Sequence, residues 1–218
     1  MSFQVEVWGD YACFTRSEMK VERCSYDVIT PSAARGLLEA IYWHPGLRWI
    51  IDKIHVLNKI EFTNIRRNEV KSKISSSNVL SVMNGGDGPL YISTSEDIVQ
   101  RAALVLRDVR YVIEAHFELV PEKMAEGDNE GKFCDIMNRR LEKGQCYHQP
   151  CLGTREFPAN FRNWGGGKIP TAYPSENRDL GFMLFDLDYS DEDNITPMFF
   201  RAKLENGVID LCDCEVFR

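Results

Sequence analysis

A chain of 218 residues with 44% hydrophobic and 27% charged side chains can bury a full core, and suits one domain with an appendage or two small domains. No apolar run approaches the roughly 18 residues a membrane span needs, and MSFQVEVWGD lacks the basic-then-apolar pattern of a leader, so a cytoplasmic protein is expected. The net charge of −7 excludes a uniformly basic nucleic-acid binder but hides a division: residues 179–218 alone carry three basic and ten acidic side chains, whereas residues 35–73 and 131–178 each hold eight basic against four acidic.

Phe3 to Gly9 alternates, with Phe3, Val5 and Val7 on one face and Gln4, Glu6 and Trp8 on the other, which predicts a half-buried strand. A polar connection over 10–29 leads to the clearest helix, Thr30 to Trp43. Thr30 caps it, Pro31 fits its first position and Pro45 forbids its continuation. Ala34, Leu37, Leu38 and Ile41 form its apolar stripe, and Arg35 and Tyr42 lie two turns apart on one shoulder. Trp49 to Val70 is a long β-prone stretch with a bulge expected near Asn58, and residues 72–97 shift to Ser, Asn and Gly as a mobile insertion. Arg110 to Leu119 alternates again, with Arg110, Glu114, His116 and Glu118 on the polar face. Asp128 or Asn129 caps a second helix with Phe133, Ile136, Met137 and Leu141 inward and Gly144 as its stop. Cys151 to Phe161 is the next expected strand, and the Asn206-Gly207 pair predicts a hairpin in a small C-terminal antiparallel sheet.

This order predicts an α+β fold: a ferredoxin-like, RRM-like βαββαβ domain over residues 1–162, interrupted at 72–97, followed by an antiparallel β extension over 163–218. Such a sheet carries two helices on one face and leaves the other open, as in RNA-recognition domains. A phosphate feels local basic surface over a Debye length of about 8–10 Å, so RNA or DNA binding stays open beside the plainer reading of a solvated surface.

Seven cysteines without a framework fit free thiols. Cys146, His148 and Cys151, with Cys212 and Cys214, come nearest to a metal set but lack CxxC spacing, so neither metal nor cofactor is expected. Lys132 is anomalous. It stands in the first turn of the second helix, where the macrodipole disfavours a cation, and is either offset by Asp128 and Glu130 or kept for an anion. Trp164 to Lys168 lacks the phosphate-loop pattern and reads as a linker or a close backbone approach. The four histidines show neither metal spacing nor a nucleophile nearby.

Several segments together closely resemble the CRISPR-associated Cas five family, type I-C (Dvulg) subtype, of the RAMP superfamily. They are FQVEVWGDYACFT (3–15), SYDVITPSAARGLLEAIYWHP (25–45), NIRRNEV (64–70), RDVRYVIEAHFEL (107–119), NEGKFCDIMNRRLEKGQ (129–145) and LGTREF (152–157). The resemblance implies a ferredoxin-like, metal-independent endoribonuclease that cuts precursor CRISPR RNA at the base of the repeat hairpin. Its 2′-hydroxyl attacks the adjacent phosphate, and the protein stays on the 5′ handle beside the backbone and large subunits of the interference complex. It also implies a monomer when isolated. The family's catalytic tyrosine falls on Tyr42 and its Lys-His pair on Lys132 and Phe133, so the histidine is absent here. Arg35, Arg66, Arg67, Lys71 and Lys73 are the expected RNA-backbone contacts, with Trp43 or Trp8 to stack a base. Because Phe133 carries no proton, a catalytically inactive subunit that holds the handle and nucleates assembly is the alternative.

Overall fold

The computed structural model describes residues 2–19, 21–191 and 193–218. The first strand, β1 (Phe3–Ala12), buries Phe3, Val5 and Val7 and runs three residues beyond the expected end. The connection that follows is not a polar surface loop: Cys13, Phe14, Tyr26, Val28 and Ile29 are all buried in it. It is packed because its backbone is paired, with Tyr26 N–H donating to Phe14 O at 2.8 Å and Cys13 N–H to Leu152 O at 3.0 Å.

Helix α1 (Pro31–Ile41) begins where the sequence places it, with Ala33 N–H donating to Thr30 Oγ1 at 3.2 Å. Its stripe of Ala34, Leu37, Leu38 and Ile41 is fully or almost fully buried. Burial of the three large members contributes about 5–9 kcal/mol before ordering entropy is charged against it. The helix stops two residues before Trp43, and Tyr42 is extended at φ −146° and ψ 115°. The Ile41 and Tyr42 carbonyls at this end are taken by the Arg140 guanidinium and by Trp49 Nε1. Arg35 and Tyr42 therefore do not share a helix shoulder, contrary to the expectation from helical spacing.

The β-prone stretch is two strands, β2 (Leu47–Val56) and β3 (Phe62–Val70), and both pair antiparallel with the 22-residue β4 (Ile98–Leu119). Val56 faces Tyr111 and Phe62 faces Leu106, so the register barely changes across residues 57–61. The irregularity expected at Asn58 is a break between strands, where Asp108 takes φ +49° and its carbonyl accepts from Asn58 Nδ2 at 2.9 Å. The bulge itself lies between Ile51 and Lys53. Residues 71–97 close this long hairpin and contain a helix that the composition did not predict, α2 (Ser76–Met83), capped by Ser75 and burying no side chain.

Helix α3 (Glu130–Lys143) follows the short 3-10 turn Pro121–Lys123. Asn129 caps it, Phe133, Met137 and Leu141 are buried, and Gly144 ends it in the left-handed region. The strand expected over Cys151 to Phe161 is reduced to β5 (Asn160–Asn163), paired with β1. Residues before it are bent by Gly153 at φ +88°, where an added Cβ would stand 2.0 Å from Cys13 O.

The C-terminal strands β6 (Asn177–Asp188), β7 (Thr196–Glu205), β8 (Val208–Asp210) and β9 (Val216–Phe217) are antiparallel, and Asn206 and Gly207 form the β7–β8 turn at φ +52° and +81°. They do not make a sheet of their own. Strand β8 pairs with β2, covering an edge that would otherwise stay open. Among the described residues nine strands form one sheet in the order β5-β1-β4-β2-β8-β7-β6, with β3 on β4 and β9 on β7. Helices α1 and α3 touch each other and bury their stripes with Phe3, Val5, Val7, Ile54 and Ile113 in one core. Among the described residues no helix is long and apolar enough to cross a membrane.

Candidate active site and nucleic-acid interface

Tyr42 and Lys132 lie ninety positions apart in sequence, and the Tyr42 ring packs 6.3 Å from Phe133, the residue that follows Lys132. Tyr42 sits in the short crossing from α1 to β2. Its N–H donates to Leu38 O at 2.8 Å, its carbonyl accepts from Trp49 Nε1 at 2.9 Å, and its ring lies 5.1 Å beneath the Arg140 guanidinium. Arg140 also donates to the Ile41 carbonyl, so one α3 side chain both satisfies the end of α1 and roofs the tyrosine. Tyr42 is 4% exposed, and burial pushes its phenol up, with Asp128 adding to the rise and Arg140 opposing it. The phenol is therefore a neutral hydroxyl at physiological pH.

Phe133 is 0% exposed. Its ring packs 6.3 Å from Tyr42, 4.8 Å from His44 and 6.2 Å from Phe117. The side chain before it, Lys132, points outward and is half exposed, with Nζ donating to Asp128 Oδ1 at 2.8 Å. Asp128 is 2% exposed at its side chain, and Oδ2 accepts from Ala125 N–H at 2.8 Å. The Lys132 ammonium, then the Ala125 N–H, hold that carboxyl below the usual range. The misplaced cation is thus offset by Asp128 while still offering N–H groups to solvent. His44 completes the cluster: its Nδ1 accepts from Gly46 N–H at 3.0 Å and its Nε2 stands 3.4 Å from Asp128 Oδ2.

The expected RNA contacts are dispersed. Trp43, beside the cluster in sequence, is 55% exposed. Arg35 is held by Asp186 at 2.8 Å and Glu39 at 2.7 Å, so the acidic C-terminal stretch takes up a cation of the basic one. Arg67 lies over the Phe157 ring at 5.6 Å and pairs with Glu156 at 2.8 Å, whereas Arg66 projects from the other face of β3 and is exposed. Lys71 and Lys73 are exposed at the hairpin tip. Arg66 faces Ala102 of β4 and Leu47 faces Leu119, so up to about 55 Å of strand separates this group from the Tyr42 end.

The helix-free face of the sheet carries polar groups whose pairing sequence alone did not reveal. Arg110 and Arg162 both grip the fully buried Glu6, and Arg162 lies 5.4 Å over the Trp8 ring. Glu114 accepts from Gln4 and is 3.0 Å from His55, and His116 is 2.9 Å from Asp52. The alternation of β1 and β4 put these residues on the polar faces; only the register Trp8–Arg110 and Gln4–Glu114 made them neighbours. A cleft of about 930 Å³ opens farther along, lined by Lys53, His55, Phe182, Lys203 and Phe217, and includes neither Tyr42 nor Lys132. Among the described residues no group of three or more His, Cys, Asp or Glu is placed to hold a metal ion.

Comparison with known proteins agrees across the chain. The family model described as CRISPR-associated protein (Cas_Cas5) matches residues 3–212. A Mannheimia succiniciproducens protein named CRISPR pre-crRNA endoribonuclease Cas5d is 53% identical over 213 residues, which cover 95% of this chain and 93% of that protein. A Thermus thermophilus protein of the same name is 39% identical over 225 residues, covering 95% and 90%. A solved structure described as a CRISPR-associated protein has the same fold, with a TM-score of 0.71 at 24% identity over 100% of this chain and 97% of its own.

Proposed function

Since the chain belongs to the CRISPR-associated Cas5 family, in its type I-C branch, we propose that it is a metal-independent endoribonuclease for precursor CRISPR RNA. It acts in the cytoplasm at the base of the repeat hairpin and remains on the 5′ handle within the interference complex, against its backbone and large subunits. The observation that supports this reading is the packing of the Tyr42 ring on Phe133, next to Lys132, whose ammonium projects outward to Asp128. The strand order β5-β1-β4-β2 under two helices supports a ferredoxin-like RNA-binding unit over residues 1–162, with 163–218 as its extension.

The 2′-hydroxyl attacks the adjacent phosphorus, the bond to the 5′-oxygen breaks, and a cyclic phosphate and a 5′-hydroxyl result. Water takes the 2′ proton and returns one to the 5′-oxygen. Tyr42, protonated, orients the 2′-hydroxyl by a hydrogen bond, and the Lys132 ammonium stabilises the crowded phosphorane. Arg66, Lys71, Lys73 and Trp43 are free to meet RNA; Arg35 and Arg67 do so only by giving up Asp186, Glu39 and Glu156.

The test is incubation of purified protein with its own repeat RNA in EDTA, with and without a 2′-deoxy sugar at the scissile nucleotide. Cutting that survives EDTA and vanishes with the deoxy sugar is expected, and Tyr42→Phe and Lys132→Ala should stop cutting while RNA stays bound. One observation favours a second reading, an inactive handle-binding subunit: the family's histidine position holds a ring sealed in the core. Tight binding without cutting would decide for it.

A further inference from the structure

The cluster around Phe133 contains an imidazole after all, on a different element. His44 lies three residues into the α1–β2 crossing, its ring 4.8 Å from Phe133, 26% exposed at its side chain and directed at the carboxylate that holds Lys132. We propose that His44 is a catalytic hydrogen-bond donor to the scissile phosphate, working beside Lys132 and standing in for the imidazole that position 133 lacks. This rests on the reading of Tyr42 and Lys132 as the cutting site.

The geometry fixes what kind of donor it is. Gly46 N–H points at Nδ1 from 3.0 Å, so Nδ1 must keep its lone pair and the ring proton belongs on Nε2. Nε2–H is therefore the outward donor of the ring. Such a ring polarises an oxygen without giving its proton away. Nε2 is 3.4 Å from Asp128 Oδ2, a long approach to an oxygen that already accepts from Ala125, so the donor can turn to a better acceptor. The charged groups facing it are Asp128 and Lys132, which are bound to each other at 2.8 Å. Asp128 thereby positions the ammonium on the same side as the imidazole.

A non-bridging phosphate oxygen that takes the place of the Asp128 carboxylate before Lys132 Nζ and His44 Nε2 meets an N–H donor from each. As the 2′-oxygen bonds to phosphorus and negative charge grows on that oxygen, both bonds strengthen. His44 keeps its proton throughout, so it leaves the proton balance unchanged and finishes the reaction as it began.

Two substitutions separate this role from simple packing. His44→Gln sets an amide N–H near the position of Nε2 but gives up the acceptor for Gly46, whereas His44→Asn keeps an acceptor for Gly46 and gives up the outward donor. Single-turnover cutting of repeat RNA, measured from pH 6 to 9 beside urea unfolding and RNA binding, is expected to fall less than about tenfold in the Gln variant. In the Asn variant it should fall by about 10² to 10³, the usual effect of removing one such donor. The pH profile of the Gln variant should keep the shape of the unsubstituted protein. Asn cutting as fast as the unsubstituted protein would overturn the proposal. So would Gln falling as far as Asn while folded and RNA-bound, or a limb of the pH profile vanishing with Gln, because either makes His44 a proton carrier. Failure of the underlying reading looks different: unsubstituted protein that leaves RNA intact, or Lys132→Ala that cuts at the normal rate, removes the site as a whole.

Discussion

Restoring a histidine at position 133 is a sharp test of how the cluster is built, because the family pattern and the local packing demand opposite outcomes. Phe133 is 0% exposed and enclosed by the rings of His44, Tyr42 and Phe117. In Phe133→His an imidazole N–H enters that enclosure without an evident partner, which costs about 1–3 kcal/mol. Lost ring contact adds about 1 kcal/mol. The sum is about 2–4 kcal/mol, and at about 2–4 °C per kcal/mol for a chain of this size the melting temperature should fall by about 4–16 °C. Burial also disfavours the charged ring, so the new histidine stays neutral and holds no second proton to donate as an acid at neutral pH. Urea unfolding with an unchanged slope should report the stability loss, and single-turnover cutting should be no faster than before. A variant that unfolds at the original urea midpoint and cuts ten times faster would refute the argument, since position 133 would then face the RNA.

Arg35→Ala should lower stability by about 1–2 kcal/mol, a value reduced for partial exposure, because it strips Asp186 and Glu39 of their cation; it should change RNA affinity less than twofold by filter binding. Stability should decline in alkali, since burial raises the Tyr111 phenol far above its ordinary value. A raised native pKa gives stability that is complete below the unfolded value near 10 and is lost as pH climbs from there, so urea midpoints between pH 8 and 11 should fall less steeply in Tyr111→Phe. Gly153→Ala forces a side chain to within 2.0 Å of Cys13 O at φ +88° and should cost more than about 3 kcal/mol; a normal melting curve would contradict the described loop.

The sequence was most legible where a local rule sufficed. Thr30, Pro31 and Pro45 framed α1, Asn129 and Gly144 framed α3, and Asn206-Gly207 marked its hairpin, since caps and turns are settled by a few neighbouring residues. Errors arose where tertiary pairing decides. Helical spacing runs α1 on to Trp43 because the spacing takes no account of the Arg140 and Trp49 side chains that take the Ile41 and Tyr42 carbonyls. Residues 151–159 looked strand-like, but Gly153 presses its backbone onto Cys13 instead. The C-terminal strands joined the main sheet because β2 had an edge to offer, which no periodicity announces. The candidate pair Tyr42 and Lys132 rests on family resemblance. His44 carries no sequence signal, since its surroundings are set by Gly46, Asp128 and Phe133 meeting in space.

Strand β4 takes its partners from three earlier stretches, residues 3–12, 47–56 and 62–70. None of those strands lies beside another in the sheet, so each waits for β4 to arrive. During synthesis at about 5–20 residues per second, the 63 residues from Val56 to Leu119 take about 3–13 s to make. Throughout that interval Phe3, Val5 and Val7 sit on a strand with neither edge covered, open to the wrong neighbour. Slower translation between β2 and the end of β4 should lengthen that exposure and lower the yield of folded protein, whereas slowing after Leu119 should matter far less.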